Sequence, residues 1–361
     1  MYNYYQNHSG SFGRGNYRAA MQVGNLVTDT RKSIQELFHC PAKQIIFTPS
    51  ATIALNMIIQ GMIAKGVKSI YISPFEHNAV TRTLYHYEQL NQVRVIQLSV
   101  TQEMAFDLER IRYQFDEIKP DLIIVSHASN VFGLIAPVSE VFQLGKKYFA
   151  VTVVDMAQTA GLIDIDLSSD VFDFAVFEGH KTLFGPTGIG GFVMKPDIEL
   201  PATLFGGTGF ESANQNMPCS LPERFEVGTI NTVGIVGLNA AVRWIIGQGI
   251  DVLRNKEEEN RIRLLNLLNK YDFIKIVGNY SERQYVGIVS CLLDGISSDS
   301  AGGIFDRCGI SVRTGLHCAP MAHRFMGTFP TGTIRFSVSC FTSNQDFIDL
   351  EKALEFIDES L

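Results

Sequence analysis

Along the first half of the chain, short runs of aliphatic and β-branched residues alternate with longer segments whose apolar positions recur at helical spacing. Gln44–Thr48 reads as a strand followed by a helix over 51–62, and Ser69–Ser73 as a strand followed by a helix over 78–90. The alternation continues with a strand over 93–100, a helix over 107–115, a strand over 121–126, a helix over 138–149 and a strand over 151–155. Near-continuous Val/Ile runs suit strands covered on both faces, which is the pattern of a parallel sheet between helices. Repeated strand–helix units predict an α/β layer structure with right-handed crossovers. In such sheets ligands gather at the carboxyl ends of the strands, which points to Thr48–Thr52, Ser126–Asn130 and Asp155–Gln158.

The pattern changes after Lys181. The segment 185–191, GPTGIGG, reads as a turn before the apolar run 192–195, and 204–222 as a long loop. It lacks the spacing of a dinucleotide fingerprint and follows the wrong kind of segment. Helices are predicted over 231–248 and 255–269, then strands over 285–293, 309–313 and 333–339, and an amphipathic helix over 344–361. A change of domain is expected between about 240 and 270, giving a large α/β part and a smaller α+β C-terminal part.

Composition narrows the function classes. The 361 residues are 46% hydrophobic and 19% charged, which excludes general disorder. The best apolar run, 122–138, is interrupted by Ser126–Asn130 and is not membrane-like. The first sixteen residues lack the basic and apolar regions of a secretory signal. A net charge of −7 argues against a nucleic-acid surface. Six cysteines, at 40, 219, 291, 308, 318 and 340, form no CxxC pair and are read as reduced thiols in a cytoplasmic protein.

Three residue types at strand ends suggest a chemistry. A pyridoxal 5′-phosphate (PLP) enzyme needs a lysine for the Schiff base, an acid for the pyridine nitrogen and a cradle for the phosphate. Lys181, in FEGHKTLFGP, supplies the first, though a lysine after an apolar strand is also an ordinary solvated strand end. Asp155, closing VTVVD, supplies the second, or caps a helix. Ser50-Ala51-Thr52 opens a helix directly after a strand, where free N–H groups favour an anion; a simple capping role is equally open there. Cys318, in VRTGLHCAP, has Arg313 and His317 close in sequence, a setting that favours the thiolate. Its alternatives are a buried structural thiol or a metal site with His317 and His323, for which no second ligand pair has zinc-site spacing.

Eight segments in order, FTPSATIALN, SPFEHNAV, SHASNVFG, VVDMAQ, GHKTLFGPTGIGG, RFEVGTINTVGIVGL, RTGLHCAP and GTIRFSVS, resemble the class V aminotransferase-like PLP enzymes, and among them the cysteine desulfurase/selenocysteine lyase family. The resemblance covers nearly the whole chain. It implies the fold of type I PLP enzymes, with a large domain over 16–245 and a small one formed by 1–15 and 246–361. By this resemblance Lys181 is the Schiff-base lysine and His77 the imidazole over the cofactor ring. Asp155 pairs with the pyridine nitrogen and Gln158 donates to the ring oxygen. Ala51, Thr52 and His180 contact phosphate, and Thr229 does so from the other subunit of a homodimer. Asn130 and Arg335 hold substrate, Arg14 lies at the mouth of the site, and Cys318 takes sulfur from L-cysteine or L-selenocysteine, releasing alanine from the former. The compact RTGLHCA form resembles the branch that hands sulfur to an acceptor protein, a setting of iron–sulfur cluster assembly. No metal, nucleic acid or membrane is expected to take part.

Two departures from the family pattern stand out. Position 178 usually carries a hydroxyl that binds phosphate, and here it is Glu178, so a weaker hold on PLP is expected, relieved in Glu178→Ser. The family also begins with a segment resembling YLDNAAT, and this chain starts after it. These departures keep open a degenerate scaffold, beside a second enzyme reading in which the reaction is transamination or another β-elimination.

Overall fold

The computed structural model describes residues 1–7, 10, 12, 15 and 17–359. The elements run α1 (Tyr2–Asn7), α2 (Arg18–Leu37), β1 (Gln44–Thr48), α3 (Ala51–Ala64), β2 (Ser69–Ile72), α4 (Asn78–Gln89), β3 (Arg94–Gln97), α5 (Leu108–Glu117), β4 (Leu122–Ser126), α6 (Val138–Lys146), β5 (Val151–Asp155), β6 (Phe174–Glu178) and β7 (Gly190–Met194). There follow α7 (Thr232–Gln248), α8 (Ile250–Leu268), β8 (Ile274–Val277), β9 (Ile288–Leu293), α9 (Ser298–Arg307), β10 (Arg313–Gly315), α10 (Pro320–Phe325), β11 (Thr333–Ser337) and α11 (Asn344–Asp358).

The first seven strands form one sheet in the order β1-β7-β6-β5-β4-β2-β3. All pairings among β6, β5, β4, β2 and β3 are parallel, while β7 runs antiparallel to both β1 and β6. The expected α/β architecture with a mostly parallel sheet between helices is present. Alternation along each strand divides its side chains between two cores. Ile45, Phe47, Val154, Ala175 and Phe177 face α2, α6 and α7, whereas Ile46, Val153, Phe174 and Val176 face α3 and α4. The same parity puts Ser126, Asp155 and Glu178, the last residues of β4, β5 and β6, on the α3–α4 side.

The second sheet has the order β10-β11-β9-β8, all antiparallel, and packs with α8, α9 and α11 around Leu264, Phe305, Phe336 and Leu354. The predicted strand over 309–313 is displaced: β10 spans 313–315, because its short polar run carries no hydrophobic alternation. The helix predicted from 255 begins at 250, after Gly249 at φ +86°, where α7 and α8 meet at 84°. The division into 16–245 and 246–361 plus 1–15 stays our proposal; α1 packs against α7, and Tyr4 donates to Thr232 at 2.9 Å.

GPTGIGG corrects one expectation. The turn ends at Ile189, and Gly190 and Gly191 already belong to β7. A Cβ at Gly190 would stand 2.9 Å from the Phe177 carbonyl and 3.0 Å from Ala51 N; one at Gly191 would stand 2.3 Å from the Ile46 carbonyl. The paired glycines let β7 draw β1, the start of α3 and β6 together.

Candidate active site

One cavity is lined by Ala51, Thr52, His77, Asn130, Asp155, Gln158, Glu178 and Lys181, with Leu55, Ala79, Ser126, Ala128 and Ala157 completing it. It lies at the carboxyl ends of β4, β5 and β6, where an open α/β sheet collects its ligands. Each strand contributes through register: Ser126 pairs with Asp155, and Asp155 with Val176. Seven of the twelve site residues named from the sequence therefore meet in one place, together with Glu178.

Asp155 is buried, and its Oδ1 accepts from Ala157 N–H at 2.9 Å, so the carboxylate is oriented by a local turn and caps no regular helix. His77 caps α4: its Nδ1 accepts from Ala79 N–H at 3.0 Å, which leaves the proton of the neutral ring on Nε2. Burial pushes the imidazole below its ordinary value, Lys181, Arg313 and Arg82 reinforce this, and Asp155 opposes it. A neutral, oriented ring beside Lys181 suits stacking on an aromatic face.

Glu76 is a residue that the sequence reading passed over. It is fully buried, and it accepts from Ser73 Oγ at 2.6 Å, Ser126 N–H at 2.8 Å and Ser126 Oγ at 2.7 Å. Burial pushes its carboxyl up to about 7, against those hydrogen bonds, with the Asp155 charge adding to the rise. Its signal was an acid between Phe75 and His77 directly after a strand.

The start of α3 is capped by Ser50, whose Oγ accepts from Ile53 N–H at 3.3 Å. The adjacent Ala51 N–H donates to Glu178 Oε2 at 2.9 Å, and His180 Nδ1 stands 3.2 Å from Glu178 Oε1. The seat expected for a phosphate thus holds a carboxylate. The residues of the ring end, His77, Asp155, Gln158 and Lys181, suit a pyridoxal ring; the anion seat does not offer phosphate a vacant N–H at Ala51.

Cys318 lies beside this cavity. Thr52, His77 and Ala79 line both the Lys181 cavity and an adjoining concavity that includes Cys318 and Arg82. Two of its loop's carbonyls are tethered: Asn78 N–H donates to the Cys318 carbonyl at 2.7 Å, and Asn130 Nδ2 donates to the His317 carbonyl at 2.6 Å. His317 and Cys318 take φ values of +49° and +60°, a left-handed stretch that non-glycine residues rarely adopt. Arg313 Nη2 approaches Cys318 Sγ to 3.7 Å. His317 does not share that role. It is buried 3.0 Å from Thr333 Oγ1, and burial pushes its imidazole down to about 3, so it brings no positive charge to the thiol.

Arg335 donates from Nη1 to the Asn130 carbonyl at 2.8 Å, and its buried Nε has no partner among the described residues. It stands opposite Arg313 across the β10–β11 pair. Burial and Arg313 push the guanidinium down to about 10, with Cys318 opposing. Two adjacent cations with donor capacity to spare suit a small carboxylate. Thr229 lines a different, largely apolar cavity with Phe47, Met57, Leu204 and Phe225. Arg14 lies outside the described residues. Of the remaining cysteines, Cys40, Cys291 and Cys340 are buried, Cys219 is exposed and Cys308 lies between these extremes; burial pushes Cys40 and Cys291 up to about 12.

Comparison with known proteins gives the family. The class-V aminotransferase family matches residues 1–350. The chain belongs to that family. It is 30% identical over 341 residues to a probable cysteine desulfurase of Mycobacterium leprae, covering 89% of this chain and 80% of the relative. A cysteine desulfurase of Salmonella gallinarum is 29% identical over 85% of this chain and 76% of its own. Among solved structures, the apo cysteine desulfurase of Thermococcus onnurineus superposes with a TM-score of 0.92 at 26% identity, over 100% of this chain and 90% of that one. Class-V aminotransferases and cysteine desulfurases are PLP-dependent enzymes.

Proposed function

We propose that this chain is a cysteine desulfurase that works with a pyridoxal-type cofactor. The observation that carries the reading is the meeting of Lys181, Asp155, Gln158 and His77 in one cavity whose neighbour contains Cys318. When bound, the cofactor supplies an electron sink for bonds at the substrate α-carbon. The chain's own residues do the rest. Asp155 would hold a proton on a ring nitrogen, Gln158 would donate to a ring oxygen, and neutral His77 would cover the ring. Lys181 Nζ would anchor the aldehyde and move protons at the substrate carbon. Arg335 and Asn130 orient the substrate carboxylate.

Cys318 Sγ attacks the sulfur of L-cysteine. An S–S bond forms, the substrate C–S bond breaks, and its electron pair passes to carbon, which takes up a proton. The products are L-alanine and a persulfide on Cys318. Arg313 favours the thiolate that this step needs.

Further parts of this proposal are a cytoplasmic homodimer in which Thr229 reaches the partner's site, and an acceptor protein that collects the sulfur. L-Selenocysteine is the alternative substrate. The test is alanine and sulfide production from L-cysteine under a thiol reductant. It is expected in the wild type and lost in Cys318→Ala; sulfide release undiminished in Cys318→Ala overturns the reading in favour of another PLP reaction. Glu178 on Ala51 N–H favours a second reading, a scaffold without catalysis, which would leave purified protein colourless after addition of either pyridoxal or PLP.

A further inference from the structure

Glu178 ends the interior strand β6, between β5 and β7, in register with Gly190. Its backbone cannot withdraw. The Gly179 N–H donates to the Ile189 carbonyl at 2.9 Å, a Cβ at Gly179 would lie 2.5 Å from that carbonyl, and Gly190 is packed on Phe177 and Ala51. Strand parity then directs the side chain onto the first turn of α3. The side chain is 7% exposed; Oε2 takes the Ala51 N–H, while Oε1 is buried, faces His180 at 3.2 Å and accepts no hydrogen bond from the described residues. A carboxylate thus occupies the end of a helix whose unpaired N–H groups and dipole favour one anion. A second anion arriving there meets like charge and must displace the first from its donor.

The geometry points to Glu178 as a resident substitute for the cofactor's phosphate, so that the site takes a pyridoxal-type aldehyde with an uncharged arm about as well as the phosphorylated one. This inference rests on the proposed function, since it concerns the same Lys181 cavity. It adds a statement of ligand class: the anion requirement of the cradle is met from within the chain, and selectivity for the phosphate ester is lost.

The experiment titrates the full chain with pyridoxal and, separately, with PLP, following the Lys181-dependent absorbance change, with Lys181→Ala as the blank. Heat-induced unfolding with each aldehyde gives a second readout. Glu178→Ser and the near-isosteric Glu178→Gln are titrated in parallel, each checked for wild-type circular dichroism. In the wild type the two affinities are expected to agree within about tenfold. A hydrogen bond to a charged group corresponds to roughly 10- to 100-fold in binding, so Glu178→Ser, which frees Ala51 N–H for phosphate, is expected to raise the preference for PLP at least about tenfold. Glu178→Gln removes the charge but keeps an acceptor and is expected to fall between the two.

Two results overturn the inference alone: a wild-type preference for PLP above about 100-fold, or a preference unchanged by Glu178→Ser. A well-folded wild type that gives no Lys181-dependent signal with either aldehyde overturns the inference and the proposed function together.

Discussion

The floor of the site and the thiol beside it are held in opposite ways. Ser126, Asp155 and Glu178 end neighbouring strands of a sheet buried on both faces, and their relative positions follow from strand register. Cys318 follows a three-residue edge strand and sits in left-handed backbone, tied by hydrogen bonds at its own carbonyl and at the carbonyl and Nε2 of His317. A group that must orient a ligand gains from rigidity, whereas a group that must carry cargo away needs a segment with few bonds to break. The proposed division of labour matches the kind of backbone that bears each residue.

The strongest way to break this comparison is to remove one group from each side. Lys181→Ala and Cys318→Ala are each expected to lower alanine formation by at least about a thousandfold. Only Lys181→Ala is expected to abolish the aldehyde absorbance, so a Cys318→Ala protein that cannot bind the aldehyde would show that floor and loop are one unit.

Next in size is a property of the floor. Glu76 titrates near 7 in the folded chain against 4.5 as its ordinary value. The folded state therefore holds the extra proton between those values, and stability falls as pH rises from about 5 to 7.5. Glu76→Gln should remove that fall, of the order of 3 kcal/mol, measured by denaturant unfolding at the two pH values. Parallel curves for the two proteins would place the carboxyl in a wetter setting than its burial indicates.

On the loop side, Arg335→Lys should raise KM for L-cysteine by about 10- to 100-fold with a smaller change in kcat, because a lysine cannot pair a carboxylate bidentately. The smallest expected effect is in Arg313→Ala. Alkylation of Cys318 by iodoacetamide at neutral pH should slow about three- to tenfold, read by mass spectrometry of the labelled peptide. An unchanged rate would assign the thiol's reactivity to the backbone around it.

Legibility followed the same division. The strands that form the floor could be read because near-continuous aliphatic runs such as Leu122–Val125 and Val151–Val154 have few uses other than a doubly covered sheet. Lys181, Asp155 and the start of α3 were legible because topology fixes where strand ends converge. The antiparallel course of β7 was not, since its apolar run has the same composition as its parallel neighbours. The helix α8 was placed five residues late because α7 passes into it through the single residue Gly249, with no loop to mark its start. His317 was misjudged for a different reason. Its neighbours in sequence suggest a charged imidazole, but charge depends on burial, and the ring is buried against Thr333 of β11 and His323 of α10, contacts that only the fold makes. Glu178 was recognised as a misfit from its residue type, yet only the packing of Gly190 shows that it has nowhere to retreat.

The bond from Asn78 N–H to the Cys318 carbonyl links the loop to the first residue of the helix that His77 caps. Any outward swing of the thiol must release that amide, and the release loosens the turn that aims the imidazole. The latch on the cargo is thus also a gauge of the ring's cover, and hydrogen exchange at Asn78 would time both movements with one proton.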